Sequence, residues 1–94
     1  MKKLSEDEIR RGLADLPGWS LEGEEIAKVY QLGDFRQAVA FVVRVAFEAE
    51  AANHHPDLDV RWNRVRAALA THSEHAITDK DLALAQAIER VAAG

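Results

Sequence analysis

The segment between Asp34 and Pro56 constrains the fold of this 94-residue chain more than any other feature. Aspartate is a preferred N-cap, so a long helix is predicted to begin after Asp34 and to reach about Asn53. Pro56 disfavours the α region for the residue before it, so the helix is predicted to end at or just before His55. Apolar residues recur at helical spacing and are predicted to face the core: Phe35, Ala38, Val39, Val42, Ala46 and Ala49. The aromatic positions from Phe35 to Phe47 are likewise interpreted as core.

Shorter elements are predicted on both sides of this helix. Ser5 and Glu8 have the spacing of a capping box, which predicts a first helix over about residues 5–14. Thr78 is predicted to cap a last helix. Alternating runs predict four strands, over residues 19–21, 25–32, 58–62 and 65–71. The order indicates one α+β domain over residues 1–94, with three helices packed on one face of a four-stranded antiparallel sheet.

Composition excludes several classes of protein. The formal net charge of -4 argues against direct nucleic-acid binding, which usually needs a basic face. There is no cysteine, so disulfide and thiolate chemistry are excluded. No apolar run approaches the ~20 residues of a membrane span, and the early acidic residues are unlike a signal peptide. A cytoplasmic protein is therefore expected. The 17 alanines indicate a modest core, which an oligomer interface would supplement.

All four histidines lie close together in the sequence: His54, His55, His72 and His75. Imidazole is the side chain whose ordinary pKa permits proton transfer in both directions near neutral pH. Glu50 lies four residues before His54 on the predicted helix, where a carboxylate can orient an imidazole. His54 is predicted in the last helical turn, where the helix dipole favours a protonated imidazole, and His72 at the end of the last strand. The cluster indicates proton-transfer chemistry or a metal site.

Each of these features also has a simpler interpretation. Three histidines with an open coordination position suit catalytic zinc, but the chain lacks the H-x-x-x-H and H-x-H spacings, so a metal is the weaker hypothesis. Glu50 is equally compatible with a solvated helix carboxylate. His75 is interpreted as solvent-exposed, and Trp62 as core from strand alternation. Asp81, three residues after Thr78, is interpreted as the partner in a capping box.

An ordered set of motifs runs through the second half of the chain. In order, it contains an acidic residue, a spacer of three residues, the sequence H-H-P, an aromatic residue, a histidine and an aspartate. These are Glu50, His54–His55–Pro56, Trp62, His72 and Asp81. With these motifs the chain closely resembles the pterin-4a-carbinolamine dehydratases. The resemblance covers almost the whole length, from Leu16 and Gly18–Trp19 to the T-D-K-D-L-A-L-A run that begins at Thr78.

The resemblance implies a specific reaction. Family members remove water from 4a-hydroxytetrahydropterin, which aromatic amino-acid hydroxylases produce, and return quinonoid dihydropterin for recycling. No metal and no cofactor are implied, because the pterin is the substrate. His54 and His72 are implied as the acid–base pair, with Glu50 supporting His54. His55 is implied to bind and orient the pterin and to share in proton transfer. Which histidine is the acid and which the base stays open.

The resemblance also implies further roles and partners. Trp62 and Asp57 join His55 as substrate-binding residues, whereas Pro56 and Asp81 are signature positions that are more structural than catalytic. A homodimer or homotetramer is implied, which agrees with the tendency of edge strands to pair. The alternative function is a non-catalytic binding, assembly or transcriptional dimerisation cofactor on the same fold. Retention of the histidines favours the enzyme.

Two departures from the family pattern concern the pocket. The loop from Ser73 to Ile77 lacks the glycine pair that the family commonly has, and glycine enters left-handed backbone freely. The loop is therefore expected to be shaped differently. Leu58 replaces a residue that is often aromatic, which is expected to loosen the pocket wall.

Overall fold

The computed structural model of the chain describes residues 2–94. Its elements follow the predicted order and confirm the α+β fold class. They are α1 (Glu6–Leu13), β1 (Ser20–Glu22), β2 (Glu25–Gln31), α2 (Phe35–Ala52), β3 (Asp57–Arg61), β4 (Arg64–Leu69) and α3 (Asp79–Ala93). A 3₁₀ turn, His72–Glu74, lies between β4 and α3. None of the helices in these residues is long and apolar enough to cross a membrane.

The four strands form one antiparallel sheet with the order β1-β2-β4-β3. The two central strands bury side chains at alternating positions beneath the helices: Ile26, Tyr30, Val65, Ala67 and Leu69. Phe41 and Val45 of α2 and Ile88 of α3 complete this core, and Leu58 of β3 packs against it. Because β2 and β4 carry these buried residues, the core fixes the positions of the loops at both ends of the sheet.

Local capping sets the starts of the helices as predicted. Ser5 Oγ accepts a hydrogen bond from the Glu8 amide at 3.1 Å, and Glu8 Oε1 accepts one from the Ser5 amide at 2.8 Å. Asp34 Oδ1 accepts from the Gln37 amide at 2.8 Å at the start of α2. Such bonds satisfy amides that the first helical turn leaves without partners, and each cap contributes about 1 kcal/mol.

Helix α2 has two apolar rows, and one of them faces the core. The buried row consists of Ala38, Phe41, Val45 and Ala49. The other row, called here the α2 stripe, consists of Phe35, Val39, Val43 and Phe47. Phe35 is 54% exposed and Phe47 is 71% exposed. The prediction that Phe35, Val39 and Ala46 face the core is therefore wrong. The interpretation of Phe47 as a core residue is wrong as well. Residues three or four apart share a helix face in both rows, so spacing does not reveal which row meets the sheet.

Trp62 lies in the turn of the β3–β4 hairpin instead of in the core. It is 70% exposed, and its φ of 51° is in the left-handed region. Strand alternation does not extend to Trp62, because β3 ends at Arg61. The next residue, Asn63, is buried, and its Nδ2 donates to the Leu32 carbonyl at 3.0 Å. The interpretation of Trp62 as a core residue is wrong.

A cluster of hydrogen-bonded polar side chains connects α3 to the sheet. Trp19 Nε1 donates to Tyr30 Oη at 3.1 Å, and Tyr30 Oη donates to Glu89 Oε2 at 2.5 Å. Lys28 Nζ donates to the same Glu89 oxygen at 2.7 Å. Burial of the phenol and its bond to Glu89 raise the pKa of Tyr30 well above its ordinary value. These bonds hold α3 on the face of β2.

Candidate functional site

The segments that carry the histidines meet at one end of the sheet. His54 precedes β3 and His72 follows β4, and the antiparallel pairing of these strands brings both segments to the same end. Pro56 is half-buried and Asp57 is exposed at this end. Trp62 lies just beyond the other end of β3, five residues after Asp57 and therefore about 17 Å from it at the rise of a strand. Within one chain, Trp62 is therefore not brought to the histidines.

The exit of α2 places His54 outside the helix. Asn53 follows α2 with a φ of 51°, and the His54 amide donates to the Ala49 carbonyl at 3.1 Å. This is the hydrogen bond of a Schellman motif, in which a left-handed residue ends the helix. The prediction that His54 lies in the last helical turn is wrong, and the argument from the helix dipole does not apply to it.

His54 forms a buried hydrogen bond with a carboxylate far away in the sequence. His54 Nε2 lies 2.5 Å from Asp81 Oδ1, and Asp81 is fully buried. Asp81 Oδ2 accepts from Thr71 Oγ1 at 2.8 Å and from the Thr78 amide at 2.9 Å. The bond to Thr78 belongs to the predicted capping box, which is confirmed. Asp81 thus joins the exit of α2, the end of β4 and the start of α3.

Glu50 contacts His55 and not His54. Glu50 Oε1 lies 2.9 Å from His55 Nε2, and the two side chains are 80% and 60% exposed. The expectation that Glu50 supports His54 is therefore wrong, because Asp81 is the carboxylate that His54 meets. An exposed pair of this kind contributes about 0–1 kcal/mol. The Glu50–His55 pair therefore holds neither side chain firmly.

His72 and His75 border a cleft beside the end of the sheet. The His75 amide donates to the His72 carbonyl at 3.1 Å, and the φ of His75 is 51°. A histidine thus supplies the left-handed residue in a loop that lacks glycine. The cleft has a volume of about 380 Å³, within the range of small-molecule sites. Three glutamates also line it: Glu22, Glu24 and Glu25.

Sequence reasoning missed His75 and these glutamates as possible site residues. His75 lies three residues after His72, which is the spacing of one tight turn, so a signal was available. The glutamates reach the cleft because β2 pairs with β4 in the folded sheet, and no local pattern indicates this. Arg66 donates to Glu22 at 2.8 Å and to Glu25 at 3.2 Å. The bond from Arg66 lowers the pKa of Glu22, which therefore stays ionised in the cleft.

His54 borders a different cleft from His72. This second cleft lies between α2 and α3, has a volume of about 330 Å³ and is lined in part by His54 and Lys80. The structure therefore does not bring His54 and His72 into one cavity. The connection between them runs from His54 to Asp81 and on to Thr71, the residue before His72.

The arrangement of side chains does not favour a metal centre. Within residues 2–94, no group of three or more histidine, aspartate or glutamate side chains is placed to hold a metal ion. His54 Nε2 is engaged by Asp81, and His55 Nε2 is engaged by Glu50. That the protein works without a metal stays a prediction.

Comparison with known proteins identifies the family. The family model for pterin 4 alpha carbinolamine dehydratase matches residues 2–91. The chain belongs to this family. A protein of Chloroflexus aurantiacus is 55% identical to this family member over 91 residues, which are 97% of this chain and 98% of the other. A protein of Mycobacteroides abscessus is 46% identical over 89 residues, 95% of each chain. Both relatives are named pterin-4-alpha-carbinolamine dehydratase only provisionally. The resemblance inferred from the histidine motifs is confirmed.

Solved structures share the fold of this dehydratase homologue. A Brucella melitensis protein described as a transcriptional coactivator/pterin dehydratase superposes with a TM-score of 0.92 at 35% identity, covering 97% of this chain and 99% of that chain. A pterin dehydratase-like protein described as a RuBisCO assembly factor in the alpha-carboxysome superposes with a TM-score of 0.65 at 19% identity, covering 79% and 86%. The second likeness shows the fold alone.

Proposed function

We propose that this family member dehydrates 4a-hydroxytetrahydropterin to quinonoid dihydropterin in tetrahydropterin recycling. The C4a hydroxyl accepts a proton and leaves as water with the electron pair of the C4a–O bond. A ring N–H gives up a proton, so that one water is lost in all and no oxidant or reductant is needed. One acid and one base suffice for this reaction, and imidazoles serve in both roles near neutral pH.

The buried hydrogen bond between His54 and Asp81 is the observation that carries the proposal. Proton transfer needs an imidazole held in a defined orientation, and a buried carboxylate provides this. The same carboxylate binds Thr71, which directly precedes His72. One side chain therefore fixes two of the histidine-bearing segments relative to each other.

The acid–base pair is assigned to His54 and His72, and orientation of the pterin to His55. Because His54 and His72 border different clefts, the pterin is proposed to lie across the sheet end between them. His55 is exposed at this end and is free to meet the ring, as is Asp57. A substrate-binding role for Trp62 requires that it come from a second copy of the chain.

The reaction is proposed to require neither a metal nor a cofactor. The proton transfers described above need no Lewis acid. The positions of the histidines and carboxylates within residues 2–94 agree with this, because no three of them converge on a metal-binding geometry. A cytoplasmic location also stays a prediction.

A homo-oligomer, a dimer at least, is proposed to form through the α2 stripe. The stripe runs along an 18-residue helix, about 27 Å at 1.5 Å per residue. A contiguous row of exposed apolar side chains marks an interaction surface. The row is self-complementary, because an antiparallel second copy of α2 places Phe35 opposite Phe47 of that copy. The same arrangement brings Arg36 near Glu48 of the second copy, so that opposite charges flank the apolar contact.

The second candidate is a non-catalytic binding role, and the exposure of the α2 stripe is the observation that favours it. The Brucella melitensis protein is described as a coactivator as well as a dehydratase. In this role the stripe would bind a different protein. The two candidates differ in whether the histidines are needed, so an activity measurement separates them.

Stopped-flow dehydration of a synthetic 4a-carbinolamine tests the enzyme directly. The expected result is a rate that rises linearly with protein concentration above the rate in buffer alone. A folded protein that leaves the buffer rate unchanged would refute the dehydratase and favour the binding role. A crystal soaked with a dihydropterin would show which cleft holds the ring.

A further inference from the structure

We infer that Asp81 is a positioning residue: it fixes which nitrogen of His54 carries the proton, so that His54 exchanges protons through Nδ1. The catalytic part of this inference rests on the proposed dehydratase function. The tautomer itself does not, because it follows from the hydrogen bonds of the folded chain.

The carboxylate of Asp81 is surrounded by donors. Oδ2 accepts from the Thr71 hydroxyl and from the Thr78 amide, and Oδ1 faces His54 Nε2 at 2.5 Å. An ionised carboxylate accepts hydrogen bonds and donates none, so Nε2 of His54 must carry the hydrogen. In a neutral imidazole the other nitrogen then has a free lone pair. His54 is therefore held as the Nε2–H tautomer, with Nδ1 as its basic atom.

Nδ1 of His54 remains accessible although the residue is mostly buried. It makes no hydrogen bond within residues 2–94, and no fully buried polar side-chain atom of those residues lacks a partner. Nδ1 must therefore keep contact with solvent. The residue borders the cleft between α2 and α3. The lone pair that Asp81 leaves free is thus on an atom that keeps contact with solvent.

The carboxylate is itself held rigidly, which a positioning role requires. The Thr71 and Thr78 hydroxyl oxygens lie 2.7 Å apart, so both threonines and the Thr78 amide belong to one buried network around Asp81. A carboxylate fixed in this way selects the imidazole tautomer without reaching the substrate, as the aspartate does in a Ser-His-Asp triad. Asp81 therefore acts through His54 and is not itself a catalytic residue.

The substitution Asp81→Asn tests the inference because it should reverse the tautomer. The asparagine oxygen can still accept from Thr71 and from the Thr78 amide, which places the asparagine NH₂ against His54 Nε2. Nε2 must then accept a hydrogen bond, and the proton moves to Nδ1. Asp79→Asn is the matched control: Asp79 is also in the first turn of α3 and loses the same charge, but it is exposed and makes no hydrogen bond to His54.

The readout is ¹⁵N NMR of histidine-labelled protein at a pH where the imidazole is neutral, with the His54 signals assigned from a His54→Gln variant. The expected result is the Nε2–H tautomer of His54 in the wild type and in Asp79→Asn, and the Nδ1–H tautomer in Asp81→Asn. A wild-type His54 that carries its proton on Nδ1 would overturn the inference, even if Asp81→Asn fails to fold. An unchanged tautomer in a folded Asp81→Asn variant would overturn it as well.

Catalysis gives a second readout. The wrong tautomer should lower kcat by about 10²–10⁴-fold in Asp81→Asn, with KM little changed and Asp79→Asn unaffected. Equal kcat values in an active wild type and in Asp81→Asn would refute the catalytic part of the inference. An inactive wild type that shows the expected tautomers would refute the proposed function and support the positioning role of Asp81.

Discussion

Replacing Phe47 by serine should weaken self-association of this protein. Phe47 is the most exposed member of the α2 stripe, at 71%. In the proposed antiparallel contact, Phe47 of each copy meets Phe35 of the other. The substitution therefore removes two buried contacts from each dimer while it leaves the core of the subunit unchanged.

The size of the effect follows from the exposed surface. Full burial of a phenylalanine side chain stabilises by about 1.5–3 kcal/mol. The exposed fraction of Phe47 limits the gain at the interface to about 1–2 kcal/mol per copy. A two-fold interface contains the residue twice, so the loss is about 2–4 kcal/mol, which raises the dimer Kd roughly 30- to 700-fold.

Sedimentation equilibrium over a range of concentrations measures this change. Val29→Ser is the control, because Val29 is an exposed apolar residue, 53%, that lies outside α2. We expect Phe47→Ser to dissociate at concentrations where the wild type and Val29→Ser remain associated. A wild type that is monomeric at micromolar concentration would refute the reasoning. So would an equal weakening by both substitutions, since the contact would then not be specific to α2.

Two further predictions concern the reaction. His72→Ala should lower kcat by about 10²–10⁴-fold with little change in pterin binding, and His55→Ala should weaken pterin binding more than His72→Ala does. Stopped-flow rates and pterin titrations on the same preparations check this ordering. Equal, small effects at both positions would contradict the assigned roles. Exhaustive chelation should leave the dehydration rate unchanged; loss of activity with EDTA and its recovery with zinc would restore the metal hypothesis.

The parts of the fold that depend on neighbouring residues were predicted correctly from the sequence. The caps at Ser5, Asp34 and Thr78 involve bonds over two or three residues, so their sequence patterns were sufficient. The buried row of α2 was not predicted correctly, because that helix has two apolar rows at equivalent spacing. Only the position of the helix on the sheet decides between them, and this position depends on contacts that are distant in the sequence.

The partner of His54 could not be predicted for the same physical reason. If α2 continued through His54, Glu50 would lie on the same helix face as His54, four residues before it. The left-handed Asn53 ends the helix before His54, so this contact does not form. The true partner, Asp81, is 27 residues away and reaches His54 only in the folded chain. Its capping role was correctly identified, because a capping box is local. Its contact with His54 required the packing of α3 beside the exit of α2.

Asp81 caps α3 and also meets His54, so substitutions of His54 can change the stability of the protein and its activity separately. A buried carboxylate needs its donors, and loss of one leaves an acceptor unsatisfied at a cost of about 1–3 kcal/mol, or more for a charged group. His54→Leu should therefore lower the free energy of unfolding by at least this amount and also abolish proton transfer.

His54→Gln should behave differently, because its amide NH₂ can donate to Asp81 Oδ1 as the imidazole does. It should keep most of the stability and still lose about 10²–10⁴-fold in kcat, since an amide does not exchange protons near neutral pH. Urea unfolding and stopped-flow dehydration of both variants measure the two effects. His55→Gln is the matched control for stability, because the exposed His55–Glu50 pair contributes about 0–1 kcal/mol. If His54→Gln retained full activity, the histidine would be needed only as a donor to Asp81. The role of His54 would then be structural, and its assignment to the acid–base pair would be refuted.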